Sequence, residues 1–239
     1  SLKKYGLVKK ILLKLVPYIF ITGIYGESFL KRYLKKENIF NMPYAVKSPK
    51  INFKNNKEEI NNEIFNVFIS NRFIHRKGYS LIRYLLENLK SKELLSNFNF
   101  TIAGNGPLFE KETYLIKLIE PKVNFLGWIE YDEYLNQMSL CDIYLHCSEY
   151  EPYGIPPVDA FLRNKIIVAT RKVYSIYDIK EMGGIVYDFD YNLPFKLFEI
   201  FENIIISKSK LRNQIDINLK FDEYPFSEIY LNVFQKVLA

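Results

Sequence analysis

The amino-acid sequence predicts an α/β fold built on a doubly wound parallel sheet. Three observations carry that prediction. From residue 63 onward, apolar runs of strand length alternate with stretches of helical period, the rhythm of strand–helix–strand units joined by right-handed crossovers. A polar stretch at 47–62 (KSPKINFKNNKEEINN), rich in Lys and Asn and without periodicity, sets this region apart from a shorter one before it. The chain has 239 residues, 49% hydrophobic and 25% charged, enough for one folded unit and a fraction of another.

The elements follow in order. Leu2, Tyr5, Val8, Leu12, Leu15 and Val16 recur at helical spacing with five lysines between them, so 2–16 reads as a basic amphipathic helix that Pro17 ends. Such a helix either packs on its own domain or lies in a membrane interface. Tyr18–Thr22 reads as a buried strand broken by Gly23, 27–36 as a helix and 39–46 as a second short strand. Beyond the linker, strands are expected at 65–70, 99–103, 122–126, 142–147, 165–170 and 184–188. Helices are expected near 79–90, 107–118, 131–140, 157–163 and 194–207, with a final amphipathic helix at 227–238.

Composition excludes several classes. A disordered chain would be poorer in apolar residues, and a collagen-like one would need far more than 10 Gly and 10 Pro. Two Cys cannot build a disulfide scaffold, which points to a reducing, cytoplasmic setting. The net charge of +6 is spread among carboxylates without a run of like charges, so nucleic acid is not an expected partner. A modest excess of cations also suits a protein that handles phosphates or rests on an anionic membrane. No apolar stretch reaches the roughly 18 residues of a membrane span.

In a doubly wound sheet, ligands bind beyond the carboxyl ends of the strands, so the loops there are informative. After the strand at 65–70 comes Asn71-Arg72-Phe73-Ile74-His75-Arg76-Lys77-Gly78, three cations and a Gly at a helix entrance. An anion site and a solvated basic turn both account for it. Gly104-Asn105-Gly106-Pro107 permits a tight turn, but Phe109 occupies the third position of the dinucleotide fingerprint, and no P-loop pattern exists. Leu126-Gly127-Trp128 brings the only Trp, either a cover for the sheet edge or a stacking surface. Glu151-Pro152-Tyr153-Gly154-Ile155-Pro156-Pro157-Val158-Asp159 places two carboxylates around amides at a helix start. That set suits a sugar, a ribose and a phosphate; a surface Glu and a helix N-terminal Asp suit it equally. Cys141, Cys147 and the two His lack the partners of a zinc site, and the thiols read as buried packing residues.

Taken together and in this order, NRFIHRKG, IAGNGP and the long stretch VNFLGWIEYDEYLNQMSLCDIYLHCSEYEPYGIPPVDAFLRNKIIVAT resemble the retaining nucleotide-sugar glycosyltransferases of the GT-B fold, glycosyltransferase family 4. The resemblance implies that 63–220 is the Rossmann-like donor-binding domain, the C-terminal half of a GT-B fold. Residues 1–46 would then be a remnant of the acceptor-side domain, 47–62 a linker and 221–239 a C-terminal helix, so the chain is expected to be incomplete. Arg72 and Lys77 would hold the donor diphosphate, and Glu151 would stand near the transferred sugar, the three being the catalytic set. Tyr153, Gly154 and Ile155 would offer amides, Asp159 would bind the ribose, and Gly106 and Gly127 would complete the donor site. Two departures stand out: Asn71 replaces a Gly and crowds the phosphate approach, and Asp159 is one methylene shorter than the family's Glu.

The chemistry so implied is transfer of a hexosyl group from a nucleotide-diphosphate sugar, with retention, no metal and no cofactor beyond the donor. The acceptor would be a glycan, a lipid-linked sugar or a lipopolysaccharide precursor. Peripheral contact through 2–16 would put the protein on the inner face of a membrane. A non-catalytic nucleotide-sugar-binding or assembly module of the same fold is the alternative.

Overall fold

The structure is a computed structural model that describes residues 15–34, 39–42 and 64–216, with isolated positions at 11, 37, 231, 233 and 235. The linker at 47–62 and most of the helices expected at 2–16 and 227–238 lie outside the described residues. The chain divides into two compact units, Ser1–Ser48 with Lys220–Ala239, and Pro49–Leu219.

In the first unit, β1 (Ile19–Ile21) and β2 (Ile39–Asn41) pair in parallel, with α1 (Ile24–Leu30) between them in the chain. The strand expected at 18–22 forms but is not buried, since Phe20 is 47% exposed. The helix begins at Ile24 rather than Glu27, directly after Gly23.

The second unit runs β3 (Phe65–Ser70), α2 (Tyr79–Ser91), β4 (Phe98–Ala103), α3 (Phe109–Ile119), β5 (Asn124–Gly127), α4 (Tyr131–Leu140) and β6 (Ile143–His146). It continues with α5 (Ile155–Phe161), β7 (Ile166–Thr170), α6 (Ser175–Glu181), β8 (Val186–Phe189), α7 (Pro194–Ile206) and α8 (Lys208–Asp216). Its six strands form one parallel sheet in the order β5-β4-β3-β6-β7-β8, so the doubly wound α/β fold is present. Every residue of β6 and β7 is buried, as expected for parallel strands covered on both faces. On α2, Leu81, Ile82, Leu85, Leu86 and Leu89 are buried at helical spacing and join the core with Phe65, Val67 and Ile69 of β3.

Two helices escape the sequence pattern. α6 has seven residues, about two turns, too few to display a helical period. α8 is mostly polar, with Leu211 buried, and it is held by Arg212 rather than by an apolar stripe. Arg212 lies 2.5 Å from Asp142, donates to the Ile64 carbonyl at 2.7 Å and stacks on the Phe65 ring at 4.4 Å. The other Asp142 oxygen accepts the Asn66 N–H at 2.8 Å.

The sheet reverses its winding between β3 and β6, and their ladder is short. It pairs Val67 with Ile143 and Phe68 with Tyr144, then stops, although β3 continues to Ser70 and β6 to His146. The seam is clamped at its amino end by Asp142 and opens at its carboxyl end, where the two strands release their loops. Those loops meet at Gly78, with φ +72°, where an added Cβ would lie 2.0 Å from the Cys147 carbonyl oxygen. Gly78→Ala therefore combines a left-handed backbone with a backbone clash. It is expected to cost about 3 kcal/mol of unfolding free energy, measured by urea denaturation.

Candidate functional site

The loop leaving β3 is fixed from both sides. Asn71 N–H donates to Ala103 O at 3.1 Å and Phe73 N–H to Asn105 O at 3.0 Å, tying it to the end of β4. Phe73 is buried against Tyr79, ring centroids 4.1 Å apart, so its neighbour Arg72 faces outward. A single 3₁₀ turn, His75–Lys77, then presents Arg76 and Lys77 toward the loop after β6.

There the two loops are stitched together. Glu149 N–H donates to Arg76 O at 2.7 Å, and the Arg76 guanidinium donates to Tyr150 O at 2.8 Å. Lys77 forms a direct ion pair with Glu151, and Arg76 stands 3.6 Å from the same carboxylate. His146 lies 3.9 Å away, and it and Lys77 hold the Glu151 carboxyl down at about 2, against the desolvation that would raise it. Lys77 is the partner within hydrogen-bond reach, and burial pushes His146 below its ordinary value, so at neutral pH His146 is uncharged and the ammonium dominates.

Beneath this pair runs a buried polar thread. Ser70 Oγ meets the Tyr144 hydroxyl at 3.2 Å, that hydroxyl meets His146 Nδ1 at 3.1 Å, and His146 Nε2 meets Ser148 Oγ at 3.1 Å. A satisfied chain of this kind fixes the strand ends more rigidly than apolar packing would. It links the wall of a neighbouring cleft, which Ser70 lines, to the underside of Glu151.

The cleft has a volume of about 430 Å³ and opens at the carboxyl ends of β3, β4 and β5. Asn71, Arg72, Gly104, Trp128, Tyr131 and Tyr134 line it. Trp128 is 67% exposed, so it is a wall of the cleft rather than a cover for the core. The Arg72 guanidinium has no hydrogen-bond or ion-pair partner among the described residues, while its carbonyl accepts Ile74 N–H at 2.9 Å. Asn71 is buried and its Nδ2 is an unpaired donor on the cleft wall.

The remaining candidates are spread around these features. Gly127 ends β5 and its carbonyl accepts Gly104 N–H at 2.6 Å, with open space where a Cβ would be. Gly106 instead packs on this chain's own backbone, since a Cβ would lie 2.6 Å from Phe73 O. Tyr153 is buried, and Gly154 and the exposed Ile155 open α5, with Pro156 and Pro157 in its first turn. Asp159 lies deeper, 2% exposed, with its Oδ2 accepting the Tyr134 hydroxyl at 2.9 Å. Burial raises its carboxyl above the ordinary range. Both Cys are buried and unbonded to each other, and burial pushes both thiols up, Cys141 to about 12. Among the described residues no three His, Cys, Asp or Glu side chains converge as a metal-ligand cluster.

Residues 50–218 match the family described as glycosyl transferases group 1, which is more than half of the chain. The chain belongs to that family. Glycogen synthase of Natranaerobius thermophilus is 35% identical over 146 residues, 56% of this chain and 28% of the relative. Anabaena HepE, solved with UDP and glucose, shares the fold with a TM-score of 0.67 at 15% identity, over 99% of this chain and 67% of that one. A point variant of S. aureus TarM, solved with Fondaparinux, alpha-GlcNAc-glycerol and UDP, gives 0.65 at 18% identity, over 95% of this chain and 46% of that one. The chain spans about a quarter of the length of the curated relatives it matches.

Within this group 1 domain, the structure brings Lys77 and Glu151 into contact and leaves Arg72 apart from them on the cleft. Sequence reasoning did not single out Tyr134, Tyr144 or His146 for the site, and it read Arg76 as one of three cations at the helix entrance rather than as a second cation on Glu151. The readable signal was a His and a Tyr inside the apolar run of β6, where each needs a buried partner. A glutamate ordinarily titrating at 4.5 that titrates at about 2 stabilises the fold above pH 4.5 and loses that contribution as the pH falls toward 2. Lys77→Ala removes its closest cation. Unfolding free energies from urea denaturation, followed from pH 6 to pH 3, should fall by about 1 kcal/mol more for the unaltered chain than for Lys77→Ala after solvent screening.

Proposed function

We propose that the second unit is the donor half of a glycosyltransferase, taking a nucleoside-diphosphate sugar and passing its hexosyl group to an acceptor hydroxyl with retention. The observation that carries the reading is the cationic rim of the open β3–β6 seam: Arg72 on the cleft, and Lys77 poised on Glu151. Transfer leaves negative charge on the departing diphosphate while the sugar becomes cation-like. Fixed cations at the phosphate and a carboxylate at the sugar stabilise both ends of that charge separation. Arg72 supplies a planar fork for phosphate oxygens and Lys77 a compact charge, which is the role a resident metal would otherwise fill. Glu151, already ionised, is released to the sugar as Lys77 turns to the phosphate. The unpaired Asn71 amide lies at the same wall but is buried, so it becomes a donor to the phosphate only if its side chain turns outward.

Family membership supports the reaction class, and HepE and TarM, which share the fold, were solved with UDP. Retention, and the assignment of 63–220 to the donor and 1–46 to the acceptor side, rest on the motif resemblance. The same holds for the glycan or lipid-linked acceptor and for peripheral membrane contact through 2–16. Among the described residues no helix is long and apolar enough to cross a membrane.

Calorimetry on the full chain tests the donor site. UDP, GDP or ADP is expected to bind at micromolar to millimolar strength, and Arg72→Ala with Lys77→Ala to weaken binding at least about 100-fold, since each charge-assisted bond contributes roughly 1.5–3 kcal/mol. Binding of none of the three nucleotides by the folded chain sinks the reading. A second reading, a non-catalytic binding module of the same fold, rests on the two departures from the family's pattern, at Asn71 and Asp159. Donor hydrolysis by the full-length protein separates the two: Glu151→Gln slows it in an enzyme, while a binding module shows none.

A further inference from the structure

We propose that His146 is a positioning residue that keeps the Glu151 carboxylate ionised while a donor is bound, taking up one proton from solvent as Lys77 leaves that carboxylate for the diphosphate; the inference rests on the donor-site reading above. Before a donor arrives, the cation in contact with Glu151 is Lys77. Once that ammonium turns to the phosphate, the carboxylate keeps only the exposed Arg76, 3.6 Å away. From the interior it faces the imidazole of His146, a side chain 1% exposed whose Nε2 lies 3.9 Å from Oε2. A carboxylate so far withdrawn from water needs a close cation or a proton. A proton on Glu151 itself removes the charge that faces the sugar, whereas a proton on His146 preserves it.

The imidazole can hold either protonation state without orphaning a nitrogen. Nδ1 meets the Tyr144 hydroxyl and Nε2 meets Ser148 Oγ, each at 3.1 Å. A hydroxyl gives or takes a hydrogen bond as its O–H turns, so a change of protonation needs no movement of the chain. Tyr144 has a second outlet for its proton in the Ser70 carbonyl at 3.2 Å, which leaves its oxygen able to accept from Nδ1. The charged groups that face the ring are Lys77 and Arg76 from the loop after β3 and Glu151 from its own loop. Tyr144, Cys147 and Tyr79 of α2 are held protonated by burial and add no charge. Burial above all, and then the two cations, oppose a proton on the ring, while Glu151 favours one. Moving the Lys77 charge onto an anionic diphosphate removes one opposing charge and leaves Glu151 in place, so the ring becomes more basic. The proton enters from water on binding and returns to it on release.

Calorimetry on the full chain with UDP-glucose, GDP-mannose and ADP-glucose reads that proton when each titration is repeated in buffers of different ionisation enthalpy. The esterified phosphates of these probes do not titrate near neutral pH. For whichever of them binds, about half a proton or more is expected to be taken up at pH 6.5, with affinity rising about threefold from pH 7.5 to pH 6.5. His146→Gln, whose amide still bonds to a hydroxyl, is expected to bind the same probe without uptake. Proton NMR of the ligand-free chain is a second measurement. The chain has two histidines and the other, His75, is exposed, so His75→Gln assigns their imidazole signals. In Lys77→Ala the His146 titration midpoint is expected to move up by about one pH unit relative to the unaltered chain. Binding without uptake by the unaltered chain, uptake that persists in His146→Gln, or an unmoved midpoint in Lys77→Ala overturns the inference and leaves the donor site standing. Binding of none of the three probes overturns the donor-site reading, and this inference falls with it.

Discussion

A carbonyl oxygen of Cys147 lies where residue 78 would carry a side chain, and the absence of that side chain sets the distance between two loops. Because Gly78 lets the backbones touch, the 3₁₀ turn before it delivers Lys77 against Glu151, and Glu149 pairs with Arg76. One atom's width decides whether a cation from one loop and a carboxylate from the other share a site. Gly104 repeats the device one strand over, where an added Cβ would lie 1.9 Å from Asn71 O. The loop after β3 is therefore held between backbones on both sides, and its side chains have little freedom in where they point.

The charges of the site are balanced against one another before any ligand arrives. Glu151 is held ionised, Lys77 and Arg76 are occupied by it, and His146 below is kept neutral by burial. Arg72 is left over, facing the cleft. An anion entering there meets one available cation first and gains a second when the ion pair opens. Such an arrangement stays compatible with a stable fold, since the Glu151 carboxylate has its cation within the chain itself.

Most of the sheet was legible because strands buried on both faces are continuous apolar runs: β3 falls on 65–70 as expected, and the others shift by a residue or two at their ends. α6 and α8 were not legible, one too short for a period and the other held by Arg212 instead of an apolar face. The motif loops were legible as loops, but not the pairing of Lys77 with Glu151, which depends on a contact across 74 residues of chain. Asp159 reads in sequence as an accessible helix-start carboxylate. In the fold it is buried and bonded to Tyr134, and no local pattern ties those two positions together.

The Arg212 clamp sets a limit on how this chain may be shortened. Asp142 stands just before β6, at the amino end of the seam, and Arg212 supplies its cation from the last described helix of the unit. A fragment ending before residue 212 would retain every motif that names the family and yet leave a carboxylate stranded at the foot of the central strands. The stretch that carries the motifs is shorter than the stretch that keeps this carboxylate paired.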